Sequence, residues 1–220
     1  MPAFIFDLDG TLVDSVYQHV MAWHAALREC GFDLSVWRIH RRIGMSGGLM
    51  IRALARELDM PLDESAINRL GELHEQEFRR RIPSISPLPG ARELLAELRE
   101  REIPYILATS GTQANAGPML ELLGRADEKI ITREDVKRAK PDPDLFLAAA
   151  EKLHVKDVEA MVVGDSVWDM LAARRANFLG VGVLSGGYGQ QELEQAGAFR
   201  VYADPEEMRR HLDELGVREE

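Results

Sequence analysis

The sequence predicts an α/β fold in which a parallel sheet, covered by helices, is interrupted after its first strand by a separate helical insertion. Short runs rich in Ile, Val, Phe and Leu alternate with longer amphipathic stretches, the pattern of strands joined by helical crossovers. Most of these runs are too continuously apolar for a half-exposed sheet, so they read as strands buried on both faces. From Val16 to Arg81, by contrast, nothing reads as a strand.

The first strand is expected over Ala3 to Leu8. The segment that follows is nearly all helical pattern, broken at Gly44-Met45-Ser46-Gly47-Gly48 and at Met60-Pro61-Leu62. One helix is enough to cross between neighbouring parallel strands, so an insertion of this length is expected to be a domain of its own. The expected division is residues 1–15 with 84–220 for the core and 16–83 for the insertion. The return path, Ile82 to Gly90, carries Pro83, Pro87 and Pro89 and reads as a semi-rigid strap, with hinges expected at 14–16 and 82–89. The remainder alternates. Helix Gly90 to Arg101, with its Ala91/Leu94/Leu95/Leu98 stripe, precedes strand Ile103 to Thr109. Helix Gln113 to Leu123 is followed by strand Lys129 to Thr132, and helix Asp144 to Leu153 by strand Ala160 to Gly164. Helix Trp168 to Ala176 then leads to strands Gly180 to Leu184 and Arg200 to Tyr202 and a last helix, Glu206 to Leu215.

Composition narrows the function classes. An apolar content of 45% and a charged content of 29% are those of a globular chain, so disorder is not expected. A net charge of -10 argues against nucleic acid or an anionic membrane as partner. An anionic small molecule remains possible, because a local cation inverts the field of one cleft. Cys30 is the one cysteine, which excludes an intramolecular disulfide and a cysteine-based zinc site. The first residues lack a basic region and their apolar run is short for a signal peptide or a membrane span. The expectation is a cytoplasmic enzyme or binding protein, monomeric or a weak homodimer.

In a parallel sheet, ligands bind at the carboxyl ends of the strands, so the residues just after each apolar run are the ones to inspect. The first run delivers Asp7-Leu8-Asp9-Gly10-Thr11. Strand alternation points Asp7 and Asp9 to one side, where two like charges repel unless a cation lies between them or one keeps its proton. The second run delivers Thr109 and Ser110, whose hydroxyls and following amides can hold phosphate oxygens. Another delivers Asp165 and Ser166, with Asp169 one turn further on. Lys140 precedes a helix that Pro143 can open, and only five lysines stand against twenty-two arginines in the chain. Together these residues suit phosphoryl transfer. Asp7, Asp165 and a backbone carbonyl offer hard oxygen ligands of the kind magnesium takes. Asp7 can then attack phosphorus to give an aspartyl phosphate, while Asp9 moves the proton.

Each residue alone has a plainer reading. Asp-x-Asp-Gly is a common turn, Thr109-Ser110 a cap, Asp169 a solvated helix residue and Lys140 a surface lysine. A calcium loop is excluded because Gln18 stands at the twelfth place, where a bidentate acid is needed. No glycine cluster fits a dinucleotide or nucleotide P-loop pattern. Gly186-Gly187-Tyr188-Gly189 follows a late strand and reads as a loop. Trp23, His24 and Trp37 are expected to pack.

Taken in order, Asp7-Leu8-Asp9-Gly10-Thr11, Thr109, Lys140-Pro141 and Gly164-Asp165-Ser166 with Asp169 resemble the four motifs of the haloacid dehalogenase superfamily of aspartate-nucleophile phosphatases. The resemblance covers nearly the whole chain and implies a Rossmann-like core with an inserted α-helical cap. It makes Asp7 the nucleophile and Asp9 the acid/base. Thr109 and Lys140 become phosphate holders beside Ser110, magnesium the cofactor with Asp7, Asp9 and Asp165 as its contacts, and Ser166 and Asp169 supports of that set. The resemblance also implies a place at the active-site rim for the loop Gly186-Gly187-Tyr188-Gly189, without contact to substrate. The insertion resembles the cap of the group that includes phosphoglycolate phosphatase and β-phosphoglucomutase. Within that group a Schiff-base phosphonatase is disfavoured, since no lysine precedes Lys129, and a dehalogenase is disfavoured by Asp9. His19 and Trp23 resemble a mutase cap-entry pattern, but Ile43 and Gly47 stand where a mutase needs basic residues. Arg42 is the candidate for substrate contact in the insertion, with His19 beside it. The expected function is a magnesium-dependent phosphatase acting on a small metabolite, with a sugar phosphomutase and a non-catalytic binding protein as rivals.

Overall fold

A computed structural model describes residues 2–60, 62–154 and 160–218. Its six strands are β1 (Ala3–Phe6), β2 (Tyr105–Ala108), β3 (Ile130–Ile131), β4 (Ala160–Gly164), β5 (Leu179–Val183) and β6 (Ala198–Tyr202). They form one parallel sheet in the order β3-β2-β1-β4-β5-β6. The chain starts in the middle and builds outward in both directions, so the strand order reverses between β1 and β4. At such a reversal the connections leave to opposite faces and a crevice opens beyond the strand ends. Every residue of β1 is fully buried, as a central strand covered on both faces requires. β6 departs from the expectation of burial on both faces. It is an edge strand, two residues longer than the apolar pattern suggests, with Phe199 48% exposed and Arg200 lying over that ring.

Helices α1 (Val16–Glu29), α2 (Val36–His40), α3 (Gly47–Glu57) and α4 (Glu64–Arg79) follow β1. The others are α5 (Ala91–Glu100), α6 (Gln113–Leu122), α7 (Asp144–Leu153), α8 (Val167–Ala176), α9 (Gln190–Ala196) and α10 (Pro205–Arg210). Their buried faces follow helical spacing. Ala91, Leu94, Leu95 and Leu98 of α5 are fully buried, and Leu145, Phe146, Ala149 and Ala150 of α7 join Ala172, Ala173 and Ala176 of α8 against Ile5, Ile106 and Val162. Each large apolar side chain so buried stabilises the fold by about 1.5–3 kcal/mol before entropy is counted. The expected last helix ends early. Asp204 caps α10, whose regular turns stop at Arg210, and Leu212–Leu215 continue as a 3-10 turn.

The chain divides into two compact units, Met1–Asp14 with Ser86–Glu220 and Ser15–Ile85. In the first, the outgoing and returning segments run antiparallel: Asp14 N–H donates to Ser86 C=O at 2.9 Å and Leu88 N–H to Leu12 C=O at 2.9 Å. The second unit has its own core, in which Val20, Trp23, Leu27, Ile39, Met50, Ile51, Leu54 and Leu70 pack together. The expected break at Gly44 to Gly48 is only partly one, since α3 already begins at Gly47 behind Ser46. Pro61, in the other expected break, lies outside the described residues. Trp23 packs as expected, whereas Trp37 on α2 is 60% exposed and carries Arg38 over its ring. Among the described residues no helix is long and apolar enough to cross a membrane.

Candidate active site

Asp7 leaves the end of β1 beside β4, where its N–H donates to Val163 C=O at 2.8 Å. The chain then turns tightly through Gly10, whose φ of +79° is one that only glycine adopts freely, and Leu12 and Val13 donate back to Leu8 C=O. The turn carries Asp9 and Thr11 past the strand end. β2 delivers Thr109, whose hydroxyl donates to Asp9 Oδ2 at 3.2 Å and accepts from Gly111 N–H at 2.9 Å. Ser110, half-buried, follows it into the same loop.

β4 delivers Asp165, 4% exposed, which accepts from the Thr11 hydroxyl at 3.1 Å. Ser166 caps α8 in a reciprocal box with Asp169: the Ser166 hydroxyl accepts from Asp169 N–H, and Asp169 Oδ2 accepts from Ser166 N–H at 3.1 Å. This box turns Asp169 back towards the strand end. The close approach needs a glycine at 164, because a Cβ there would lie 2.4 Å from the Cβ of Asp169.

Lys140 joins these elements. Its ammonium is 1% exposed and donates to Asp7 Oδ1 at 2.5 Å and to Asp169 Oδ1 at 2.8 Å. A lysine is almost never buried without such partners. Three buried carboxylates against one ammonium leave the cluster short of positive charge, and the proton affinities reflect it. Burial, which outweighs the attraction of Lys140, pushes Asp7 up to about 7. Burial and the neighbouring Asp169 and Asp7 push Asp165 well above the usual carboxylate range. For Lys140 burial acts downward, but Asp169 and Asp7 outweigh it and keep the ammonium charged.

Asp7, Asp165 and Asp169 bring carboxylate oxygens within 4.8 Å of one another, the one such group among the described residues. An all-oxygen donor set with unbalanced negative charge fits a hard divalent cation. The grouping differs from the sequence expectation in one member. Asp169 lies in the cluster because Lys140 and the capping box fix it there, while the Asp9 side chain is engaged by Thr109 instead. Since Asp169 accepts from Lys140 and Ser166 through its two oxygens, it is the least available of the three to a cation.

The two expected substrate contacts of the insertion belong to the second unit. His19 is stacked on Phe78 at 3.7 Å and its Nδ1 lies 3.1 Å from Nε2 of His74, which stacks in turn on Trp23. Arg42 is paired with Glu57, which Arg38 also reaches at 2.7 Å. Ser185, which sequence reasoning left out, and Gly186, which it placed at the rim, both reach the site. The Ser185 hydroxyl donates to Gly10 C=O at 2.6 Å, and Gly186 abuts Asp165. The signal was available, because both directly follow the apolar run of β5 and the carboxyl-end rule applies there as well.

A family model described as haloacid dehalogenase-like hydrolase matches residues 1–177. The phosphoglycolate phosphatase of Rhodospirillum rubrum is 32% identical over 210 residues, covering 92% of this chain and 87% of that one. Among solved structures, a hydrolase from Pseudomonas syringae is 51% identical with a TM-score of 0.94, covering 98% of this chain and 99% of that one. A β-phosphoglucomutase from Clostridium difficile is 26% identical with a TM-score of 0.83, covering 99% and 100%.

Proposed function

The chain belongs to the haloacid dehalogenase-like hydrolases and is a phosphoric monoester hydrolase, and from that premise we propose that it is a magnesium-dependent phosphatase acting on a small cytoplasmic metabolite through an aspartyl phosphate. The observation that carries the reading is the buried Lys140, bonded to both Asp7 and Asp169 beside Asp165 at the carboxyl end of the sheet.

Asp7 is the nucleophile. Its carboxylate oxygen forms a bond to phosphorus as the bond to the ester oxygen breaks, and the electron pair leaves on that oxygen. Asp9 gives the leaving oxygen a proton. The Thr109 hydroxyl, donating to Oδ2 of Asp9, holds that carboxyl in place for the transfer. In the second half, Asp9 takes a proton from water, whose oxygen displaces Asp7 and releases inorganic phosphate. Lys140 offsets charge on the phosphoryl group while remaining tied to Asp7 and Asp169, and Ser110 with the neighbouring amides receives phosphoryl oxygens. Asp7, Asp165 and a backbone carbonyl would hold magnesium, which would supply the positive charge that keeps Asp7 ionised and lets an anionic ester approach. Ser15–Ile85 acts as the cap that selects the leaving group.

Wild-type protein is expected to hydrolyse 4-nitrophenyl phosphate only with magnesium, and Asp7→Asn to lose at least about 1,000-fold in turnover. Full turnover in that variant would place the nucleophile elsewhere. A panel of glycolate, short sugar and nucleotide phosphates then ranks substrates.

Transfer to a second sugar hydroxyl is the competing reading, supported by the likeness to a β-phosphoglucomutase and by His19 and Trp23. Against it, Ile43 and Gly47 offer no charge for a second phosphate, and Arg42 is already paired with Glu57. β-Glucose 1-phosphate with a trace of the bisphosphate should therefore yield free phosphate; glucose 6-phosphate as the main product would reverse the assignment.

A further inference from the structure

The loop after β5 has no part in the reactions above, yet two consecutive residues in it close on two different elements of the same site. β5 pairs with β4 in a register that sets Gly182 beside Gly164, so the residues that follow β5 arrive next to Asp165. There the chain makes a 3-10 turn, Leu184–Gly186. Ser185 Oγ donates to Gly10 C=O at 2.6 Å, reaching the turn that carries Asp9 and Thr11. Gly186 is buried, and a Cβ built on it would stand 1.7 Å from Oδ2 of Asp165 and 2.5 Å from its Cγ. No side chain fits there unless the carboxylate or the loop moves. At the other carboxylate oxygen, the Thr11 hydroxyl donates to Asp165 Oδ1 at 3.1 Å. Asp165 is thus held between Thr11 and Gly186, and the Gly10-Thr11 turn is tied at one residue to Ser185 and at the next to Asp165.

We infer that Ser185 and Gly186 are positioning residues of the phosphatase site: Ser185 fixes the peptide between Gly10 and Thr11, and the missing side chain at Gly186 makes the place that the Asp165 carboxylate occupies. Neither touches the reacting atoms. Their effect runs through the carboxylates, Asp9 by way of the turn and Asp165 directly. A loop that merely covered the sheet would tolerate a methyl group at 186 with a small shift and would have no need of a hydroxyl aimed at one carbonyl. Partners that orient the groups around a cation typically change its affinity by about 10–100-fold when removed.

The inference rests on the proposed magnesium-dependent phosphatase, and its test separates the two. Magnesium chloride is titrated by calorimetry into metal-free wild type, Ser185→Ala, Ser185→Thr and Gly186→Ala, and each melting temperature is taken without metal. Turnover of 4-nitrophenyl phosphate at saturating magnesium then gives kcat and KM. Ser185→Ala is expected to melt within about 2 °C of wild type, to bind magnesium about tenfold more weakly and to lose kcat with KM little changed. Ser185→Thr, which keeps the hydroxyl, restores both. Gly186→Ala is expected to weaken magnesium further than Ser185→Ala does. Wild-type magnesium affinity and kcat in Ser185→Ala would overturn the role of Ser185, as would losses that Ser185→Thr fails to recover. Wild-type magnesium affinity in Gly186→Ala would overturn the role of Gly186. If Gly186→Ala does not fold, the two Ser185 variants decide the role of Ser185, and Thr11→Val, which removes the other contact to Asp165, serves in place of Gly186→Ala: an unchanged magnesium affinity there would show that holding Asp165 in place does not matter. If wild type itself neither binds magnesium nor needs it for turnover, the phosphatase reading fails, whatever the loop does.

Discussion

In the core unit, Asp7, Lys140, Asp165 and Asp169 are each at most 4% exposed and are held by one another and by Thr11, Ser166 and the nearby loops. In the helical unit the arginines and carboxylates lie outside, paired across the surface: Arg38 and Arg42 with Glu57, Arg52 with Glu64, Arg81 with Glu77. Exposed large apolar side chains are denser in the helical unit: Tyr17, Met21, Val36, Trp37 and Leu49 belong to residues 15–85, and Leu147, Leu179 and Phe199 to the longer core unit. Residues 15–85 carry a net charge of +1 by sequence, against -11 for the rest of the chain. Phosphoryl transfer needs fixed charges in a site whose geometry cannot drift, and such a site is costly to alter. Selection of a leaving group needs a surface that changes without unfolding anything, which an exposed face provides.

The sharpest break of that comparison removes one charge from each unit. Lys140→Met leaves Asp7 and Asp169 buried without their donor, and an uncompensated buried charge costs about 3–5 kcal/mol. Arg42→Met breaks a surface pair with Glu57, worth under about 1 kcal/mol. Urea unfolding of the two variants measures both. Adding Asp169→Asn to Lys140→Met should recover part of the loss, because it removes one of the stranded carboxylates. Equal effects of the two single variants would mean that the cluster is no more interlocked than the surface pairs.

The same contrast governs what could be read from the chain. Asp7, Thr109 and Asp165 directly follow apolar runs, so strand-end logic placed them, and α7 begins and ends where its pattern does because Pro143 opens it and its four core positions keep helical spacing. Ser185 and Gly186 also follow an apolar run, so strand-end logic reaches them, but Ser-Gly-Gly names no chemistry of its own; their role comes from the β4–β5 register, which brings Asp165 against Gly186. Arg42 looked available because its partner Glu57 lies at the far end of α3, and no local pattern connects it to the turn after α2. Trp37 looked like packing because a tryptophan in a helical pattern usually is, and only the tertiary arrangement leaves it 60% exposed.

A smaller effect follows from proton linkage. With Asp7 raised to about 7 from its ordinary 3.8, the folded protein keeps a proton that the unfolded chain has already released between those values. Stability of the metal-free protein from this group is therefore greatest at low pH and falls as pH rises from about 4 to 7; Asp165 acts in the same direction. The loss from Asp7 is about 4 kcal/mol at most. A divalent cation binds the ionised form, so magnesium should raise the melting temperature more at pH 8 than at pH 5. Surface carboxylates lowered by arginines, such as Glu206 at about 2, pull the other way in absolute stability but cancel in the difference with and without magnesium. A magnesium shift that is the same at both pH values would show that Asp7 and Asp165 do not exchange a proton for the ion.

The smallest effect on stability is expected in the exposed face, and two tryptophans within one unit measure it. Trp23 is 5% exposed and stacks on His74 at 4.0 Å, so Trp23→Ala opens a cavity and costs about 3–5 kcal/mol. Trp37 carries Arg38 over its ring in solvent, so Trp37→Ala should change stability by no more than about 0.5–1 kcal/mol. If the exposed face selects leaving groups, Trp37→Ala and Tyr17→Ala will change the ratio of kcat/KM between a sugar phosphate and phosphoglycolate while leaving magnesium affinity alone. The distinction matters because a variant that altered magnesium affinity would be acting on the buried carboxylates. Unchanged ratios in both variants would move selection away from this face, and the division between a fixed reaction and an adaptable surface would have to be drawn through other residues of the unit.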